Sequence, residues 1–151
     1  MNVEKIFRRV SAFSGIILDK ILFESKYPVL FTCKKNDDIY LFICCMVSAS
    51  KVEWIGTKTD CDTLIGLLEN KITICEAFLN VTGEKYLVKY DGSEVFYTET
   101  KAENIPYKLL PSAGEYMDAE EGEYAEEIKV FESRNRNFEY RIQPRINSFG
   151  F

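Results

Sequence analysis

Carboxylates are the reactive side chains that this sequence clusters most densely. The segment DAEEGEYAEE has six carboxylates in ten positions and no basic residue. They are Asp118, Glu120, Glu121, Glu123, Glu126 and Glu127. So many charges of one sign are too costly to bury unpaired. They must stay hydrated, pair with nearby arginines, or contact a basic partner.

The segment SRNRNFEYRIQPR, which follows, is open to two interpretations. Its aromatic residues, interleaved with Arg134, Arg136 and Arg141, could stack the bases of a nucleic-acid strand. The same arginines could instead pair with the acidic segment. The formal charge of −5 and the isoelectric point near 4.9 favour the second interpretation. They also argue against direct binding of nucleic acid or of an anionic membrane.

The residue types exclude the common catalytic and metal-binding motifs. The chain has no histidine, so Ser-His-Asp and Cys-His mechanisms are excluded. Neither GxxxxGK[ST] nor GxGxxG occurs. The five cysteines lack the paired spacing of a zinc site, and the acidic segment lacks the Asp-rich first half and the sixth-position glycine of an EF-hand calcium loop. We therefore expect no metal, no cofactor and no catalytic activity, and we expect the cysteines to be reduced and buried.

Three residues support an alternative function. Asp60 and Asp62 have the DxD spacing that can hold a divalent cation, although the same residues suit the start of a helix. Cys75 lies in the first turn of a predicted helix, where the helix dipole can lower a thiol pKa, but it also fits an apolar core pattern. The alternative is a small enzyme or ligand-binding domain with a pocket between sheet and helices.

The elements that must position these groups follow from periodicity. Helical spacing of apolar residues from Val3 to Phe13 predicts an N-terminal helix that stops at Gly15. The runs IILDKILFE, PVLFTCK, IYLFICCMV and KVEWIGT predict four strands of an antiparallel meander. The third run, Ile39 to Val47, is apolar throughout, so we expect a central strand with both faces covered. Two short helices should follow, the second with Thr73 and Glu76 in capping-box spacing.

The second half combines a clear hairpin with a less regular segment. KYLVKYDGSEVFYTET predicts a β-hairpin with a type I′ turn at Asp91 and Gly92. Residues 101–133 are interrupted by Pro106 and Pro111 and predict an irregular or mobile acidic segment. The pattern of residues 124–131 fits either a helix or a strand, and FEYRIQ fits a last strand. We therefore predict a single α+β domain over residues 1–151, with an antiparallel sheet, an N-terminal helix, short central helices and a hairpin region.

YPVLFTC, YLFI, EWIGTKTDCDTLIGLLENKITICEAF and the tyrosine-rich hairpin together resemble a family of small bacterial domains. The resemblance covers about residues 16–100, and its motifs are typical of a core rather than of an active site. This family resembles the cargo of variable genome regions and mobile elements. The resemblance therefore implies a role near toxin–antitoxin, immunity or phage-conflict systems, and it assigns no functional residue.

Our leading hypothesis is a non-catalytic, inhibitor-type protein that binds another protein with a basic surface. The absence of a secretory h-region or membrane span in the sequence favours the cytoplasm, without a membrane partner. Carboxylates would steer the partner while two tyrosines anchor it. The candidate residues are Glu115, Tyr116, Asp118, Glu120, Glu121, Glu123, Tyr124, Glu126 and Glu127. Self-association through an uncovered sheet face is a further hypothesis.

Overall fold

A six-stranded antiparallel sheet forms the centre of the fold. The computed structural model describes residues 1–136, and its strands follow the sheet in chain order. They are β1 (Ile17–Glu24), β2 (Pro28–Lys35), β3 (Asp38–Val47), β4 (Val52–Thr59), β5 (Lys85–Tyr90) and β6 (Val95–Thr100). The predicted α+β fold with an antiparallel meander is confirmed. The strand predicted at FEYRIQ lies outside the described residues.

Four helices accompany this sheet in the described part of the chain. They are α1 (Val3–Phe7), α2 (Cys61–Leu68), α3 (Ile74–Leu79) and α4 (125–136), with short 3-10 turns at Ser11–Phe13, Ala102–Asn104 and Tyr107–Leu109. The pattern of residues 124–131 thus resolves as the start of a helix, on which Ile128 and the fully buried Phe131 face the core. No helix within residues 1–136 has the length and apolar character needed to cross a membrane.

Two of the helix starts match their sequence signals, whereas α1 is shorter than predicted. The Asp60 carboxylate accepts a hydrogen bond from the Thr63 amide and begins α2. Thr73 and Glu76 form the predicted capping box at α3. Helix α1 ends at Phe7, and the apolar pattern that predicted helix up to Phe13 continues in a 3-10 turn that buries the same face.

The core is divided into two clusters by the sheet. In one cluster, α1 and the first 3-10 turn pack on one face of the sheet. There the rings of Phe7 and Trp54 lie edge to face, with their centroids 5.1 Å apart. The other packs α2, α3 and α4 on the opposite face. Alternation along β3 sends Phe42 into the first cluster and Leu41 into the second. Strand β3 is therefore covered on both faces in its middle, at Tyr40, Leu41 and Phe42, whereas Val47 at its end is 46% exposed.

The β5–β6 hairpin is confirmed, but its turn lies one residue later than predicted. Tyr90 pairs with Val95, and the Asp91 amide donates to the Glu94 carbonyl at 3.2 Å. The Asp91 carboxylate accepts from the amides of Ser93 and Glu94, at 2.8 and 2.7 Å. The central turn residues are thus Gly92 and Ser93, of which Gly92 alone has a positive φ, +94°. A type I′ turn needs two such residues, so a positive φ at the first centre alone matches the type II′ pattern.

Candidate protein-binding surface

The acidic segment is fastened to the helical layer by backbone contacts. The Asn70 side chain donates to the Ala119 carbonyl at 3.0 Å and accepts from the Ala119 amide at 3.1 Å. The Ile74 amide, at the start of α3, donates to the Glu115 carbonyl at 2.9 Å. These contacts hold the segment at two points, 115 and 119, so the backbone that carries its carboxylates has a defined position.

We call the nine candidate residues between Glu115 and Glu127 the acidic surface, and most of its side chains are exposed. Of its carboxylate residues, only Glu127 is half-buried. Within residues 1–136, none of these carboxylates lies within 4.0 Å of a basic side-chain nitrogen. The Glu123 carboxylate accepts a hydrogen bond from the Glu120 amide at 3.0 Å, which fixes the turn before α4. The surface therefore presents a concentrated negative charge to solvent.

The expected pairing of Arg134 with the acidic segment is wrong. The Arg134 guanidinium donates to both carboxylate oxygens of Asp19, at 2.7 and 2.9 Å, on strand β1. The Asp19 side chain is 11% exposed, and it also accepts from the Thr32 hydroxyl at 3.3 Å. Arg134 is thus used to fasten α4 to the sheet, because a buried carboxylate needs a bidentate partner more than a hydrated one does. Arg141 lies outside the described residues.

The two tyrosines of the acidic surface occupy different environments. Tyr116 is 39% exposed and available for contact. Tyr124 is half-buried, and its hydroxyl donates to the Leu22 carbonyl of β1 at 2.7 Å. Burial, reinforced by the charge of Glu123, raises the pKa of Tyr124 above its usual value. Tyr124 therefore anchors the segment to its own domain, while one side of it lines the cleft described next.

A cleft of about 480 Å³ opens between the end of α2 and the start of α4. Its apolar lining comes from Leu68, Ala125 and Ile128, together with Tyr124. Four carboxylates and one ammonium group surround it, those of Glu69, Glu120, Glu121, Glu132 and Lys129. An apolar floor inside an acidic rim suits a long basic side chain, because the methylene stem packs on the floor while the charge reaches the rim.

The groups proposed for an alternative active site do not converge. Asp60 and Asp62 line a second open cleft, of about 440 Å³, beside α2 and α3. The Asp60 carboxylate caps α2, and the Asp62 carboxylate accepts a hydrogen bond from the side-chain Nδ2 of Asn135 at 2.8 Å. Cys75 is 9% exposed and does not line this cleft. Burial raises the pKa of Cys75, so the helix dipole does not make it a reactive thiolate here.

The prediction of buried cysteines is confirmed for Cys33, Cys61 and Cys75, whereas Cys44 and Cys45 are half-buried. All five are free, and burial raises the pKa of each, with that of Cys45 reaching about 12. Within the described part of the chain, no group of three or more potential metal ligands comes together.

Asn70 is the residue at the acidic surface that the sequence did not reveal. It follows the end of α2 with φ +60°, a position that favours glycine or asparagine. That local signal identifies a helix end, but it contains no information on Ala119, which lies 49 residues away.

Three comparisons with known proteins found no match, whether to a protein-family model, a curated protein or a solved structure.

Proposed function

We propose that this protein is a non-catalytic binding protein that recognises a basic surface on another protein through the acidic surface. The observation that carries the proposal is the double attachment at Asn70–Ala119 and Ile74–Glu115, which holds a hydrated acidic segment in one place. A segment whose only role was to keep the chain hydrated would not need hydrogen bonds that hold its backbone in one place. A segment whose backbone is already held, in contrast, loses little backbone conformational entropy when a partner binds.

Charge and shape have separate roles in this proposal. The unpaired carboxylates attract a basic partner over a distance of several ångströms and raise the rate of encounter. The neighbouring cleft, with Leu68 and Ile128 in its floor, gives one side chain of the partner a place to insert. Steering followed by insertion explains why apolar and acidic residues occur together at this edge of the domain.

Among binding roles, we propose that of an inhibitor in the cytoplasm. An acidic protein can mask an arginine-rich or nucleic-acid-binding site on its target by presenting carboxylates where the target expects phosphates. The resemblance to domains of bacterial mobile elements favours an antitoxin, an immunity protein or a phage anti-defence protein as the setting.

A second candidate function is binding of a small ligand in the cleft beside α2 and α3. Its support is the volume of about 440 Å³ and the polar lining by Asp60, Asp62 and Glu76. Each of these carboxylates already accepts a hydrogen bond within the domain. This candidate is therefore weaker than the first.

An affinity capture from the native host tests the leading proposal. The bait is the intact chain, compared with a variant in which Glu120, Glu121 and Glu123 are changed to glutamine. The side-chain carbonyl of a glutamine at position 123 can still accept the hydrogen bond from the Glu120 amide, so the turn is preserved. The matched control replaces exposed carboxylates elsewhere, by Glu24→Gln, Glu84→Gln and Glu103→Gln.

The expected result is one basic protein that the intact chain and the control variant retain and the acidic-surface variant loses. Equal capture by all three baits would contradict the proposal. Loss of the partner after Asp60→Asn and Asp62→Asn, with retention by the acidic-surface variant, would favour the second cleft instead.

A further inference from the structure

The two edges of the sheet differ in whether their backbone groups have partners. At β1 the Leu18 amide donates to the Glu4 carboxylate at 2.7 Å, and the Leu22 carbonyl accepts from the Tyr124 hydroxyl at 2.7 Å. The pairing of β1 with β2 also shifts register at three places. Side-chain bonds and bulges of this kind prevent another strand from adding to an edge. The β1 edge is therefore closed.

The β6 edge has none of these protections within residues 1–136. The bond from the Asp91 amide to the Glu94 carbonyl identifies a hydrogen-bonded pair, and β5 and β6 then pair without a register shift. Hydrogen-bonded pairs alternate along an antiparallel ladder. The backbone groups of Phe96, Thr98 and Thr100 therefore face β5, and those of Val95, Tyr97 and Glu99 face outward. No described residue forms a hydrogen bond with these outward backbone groups.

We propose that β6 pairs antiparallel with β6 of a second copy of this chain, so that two sheets join into one of twelve strands. In the register that places Tyr97 opposite Tyr97 of the second copy, all three outward-facing residues find a partner. Val95 of each copy then lies opposite Glu99 of the other copy. In this register no charged residue of β6 lies opposite a residue of the same charge, so electrostatic repulsion does not oppose the pairing.

Side chains along β6 complement each other in the same register. Phe96, which is 49% exposed, lies opposite Thr98 of the second copy. An aromatic side chain opposite a β-branched one is a favourable cross-strand pair. Pairing would also cover part of the exposed Phe96 ring, which is costly to leave in water.

The closed β1 edge limits this assembly to two copies. Within residues 1–136, each chain offers one open edge, and a two-fold pairing uses it completely, so growth stops at the dimer instead of continuing into a fibre. The acidic surface is attached to β1 through Tyr124, at the far side of the sheet. Both acidic surfaces therefore remain accessible in the dimer, which goes beyond the proposed function by making the binder bivalent.

Sedimentation velocity over a concentration series tests the proposal. The intact chain is expected to shift from 17.5 kDa towards twice that mass as its concentration rises to about 1 mM, the weak end of specific association. Glu99→Pro removes an outward-facing amide without removing a bond to β5, so it should weaken dimerisation at least about tenfold. Glu99→Ala is the matched control, because it removes the same carboxylate and keeps the amide.

A second variant guards against an effect of proline on folding. Phe96→Glu leaves the backbone intact, faces Lys89 of β5 with an opposite charge, and places a charge in the new strand pair next to the same charge of the second copy, so it should also favour the monomer. A chain that stays at 17.5 kDa throughout the series would overturn the proposal. So would a dimer that Glu99→Pro and Phe96→Glu leave unchanged, because that dimer would use another surface.

Discussion

The ion pair between Asp19 and Arg134 predicts a large and specific effect of one substitution. Arg134 joins α4 to β1 across 115 residues of sequence, with two hydrogen bonds of 2.7 and 2.9 Å. The guanidinium also lies over the ring of the buried Phe131, 5.4 Å from its centroid. Among residues 1–136, removing it leaves the Asp19 carboxylate, 11% exposed, with the Thr32 hydroxyl at 3.3 Å as its remaining side-chain partner.

The magnitude follows from these contacts. Breaking a buried ion pair from one side costs about 3–5 kcal/mol, and an exposed pair costs at most about 1 kcal/mol. The Arg134 side chain is 25% exposed, so water can compensate part of the loss. We expect Arg134→Ala to lower the free energy of unfolding by about 2–3 kcal/mol, between these limits.

Urea unfolding followed by circular dichroism measures this change. Arg136→Ala is the matched control, because Arg136 lies on the same helix, is exposed and forms no ion pair with any described residue. Its effect should stay within about 0.5 kcal/mol. In a double-mutant cycle, Arg134→Ala and Asp19→Asn together should lower the free energy of unfolding by much less than the sum of their separate effects, because both remove the same ion pair. If Arg134→Ala and Arg136→Ala cost the same, the ion pair does not fasten α4 and the reasoning fails.

Three further outcomes follow from the core. Lys85 is fully buried, its ammonium group donates to the Thr57 hydroxyl and the Val81 carbonyl, and burial lowers its pKa. Between this lowered pKa and the ordinary value of 10.5, the unfolded chain binds more protons than the folded chain, so the free energy of unfolding should rise with pH. Urea titrations across this pH range should show the rise for the intact chain and not for Lys85→Met. Gly56→Ala should destabilise the fold by about 1–3 kcal/mol in the same assay, because a new Cβ would overlap the Phe42 ring. Cys75 should react with a thiol reagent much more slowly at neutral pH than after unfolding in urea, and fast labelling of the native protein would contradict a buried thiol.

Local patterns predicted those elements whose hydrogen bonds lie within a few residues of sequence. The capping box of Thr73 and Glu76 is an example, since both of its bonds span three residues. The hairpin was also predictable, but its turn was not, because the Asp91 carboxylate caps the turn from outside instead of occupying its centre. A dipeptide signal does not distinguish these two roles of aspartate.

Non-local contacts at the acidic surface were beyond the sequence. Asn70 and Ala119 are 49 residues apart, and nothing in either local pattern indicates the other. For Arg134, proximity in sequence suggested the acidic segment, while the fold placed the half-buried Asp19 within reach. Burial decided the pairing, and burial depends on the tertiary arrangement.

The rate at which the captured partner associates, measured as a function of salt concentration, tests the central claim most directly. The intact chain, the acidic-surface variant (Glu120→Gln, Glu121→Gln, Glu123→Gln) and the control variant (Glu24→Gln, Glu84→Gln, Glu103→Gln) are compared by stopped flow. The two variants carry the same net charge, so a difference between them reports the position of the charge. Steering by fixed carboxylates predicts that the acidic-surface variant associates at least about fivefold more slowly at low salt. The difference in association rate should disappear near 1 M salt, because the Debye length is then about 3 Å. Equal association rates for the two variants at low salt would contradict the claim that the acidic surface recognises the partner.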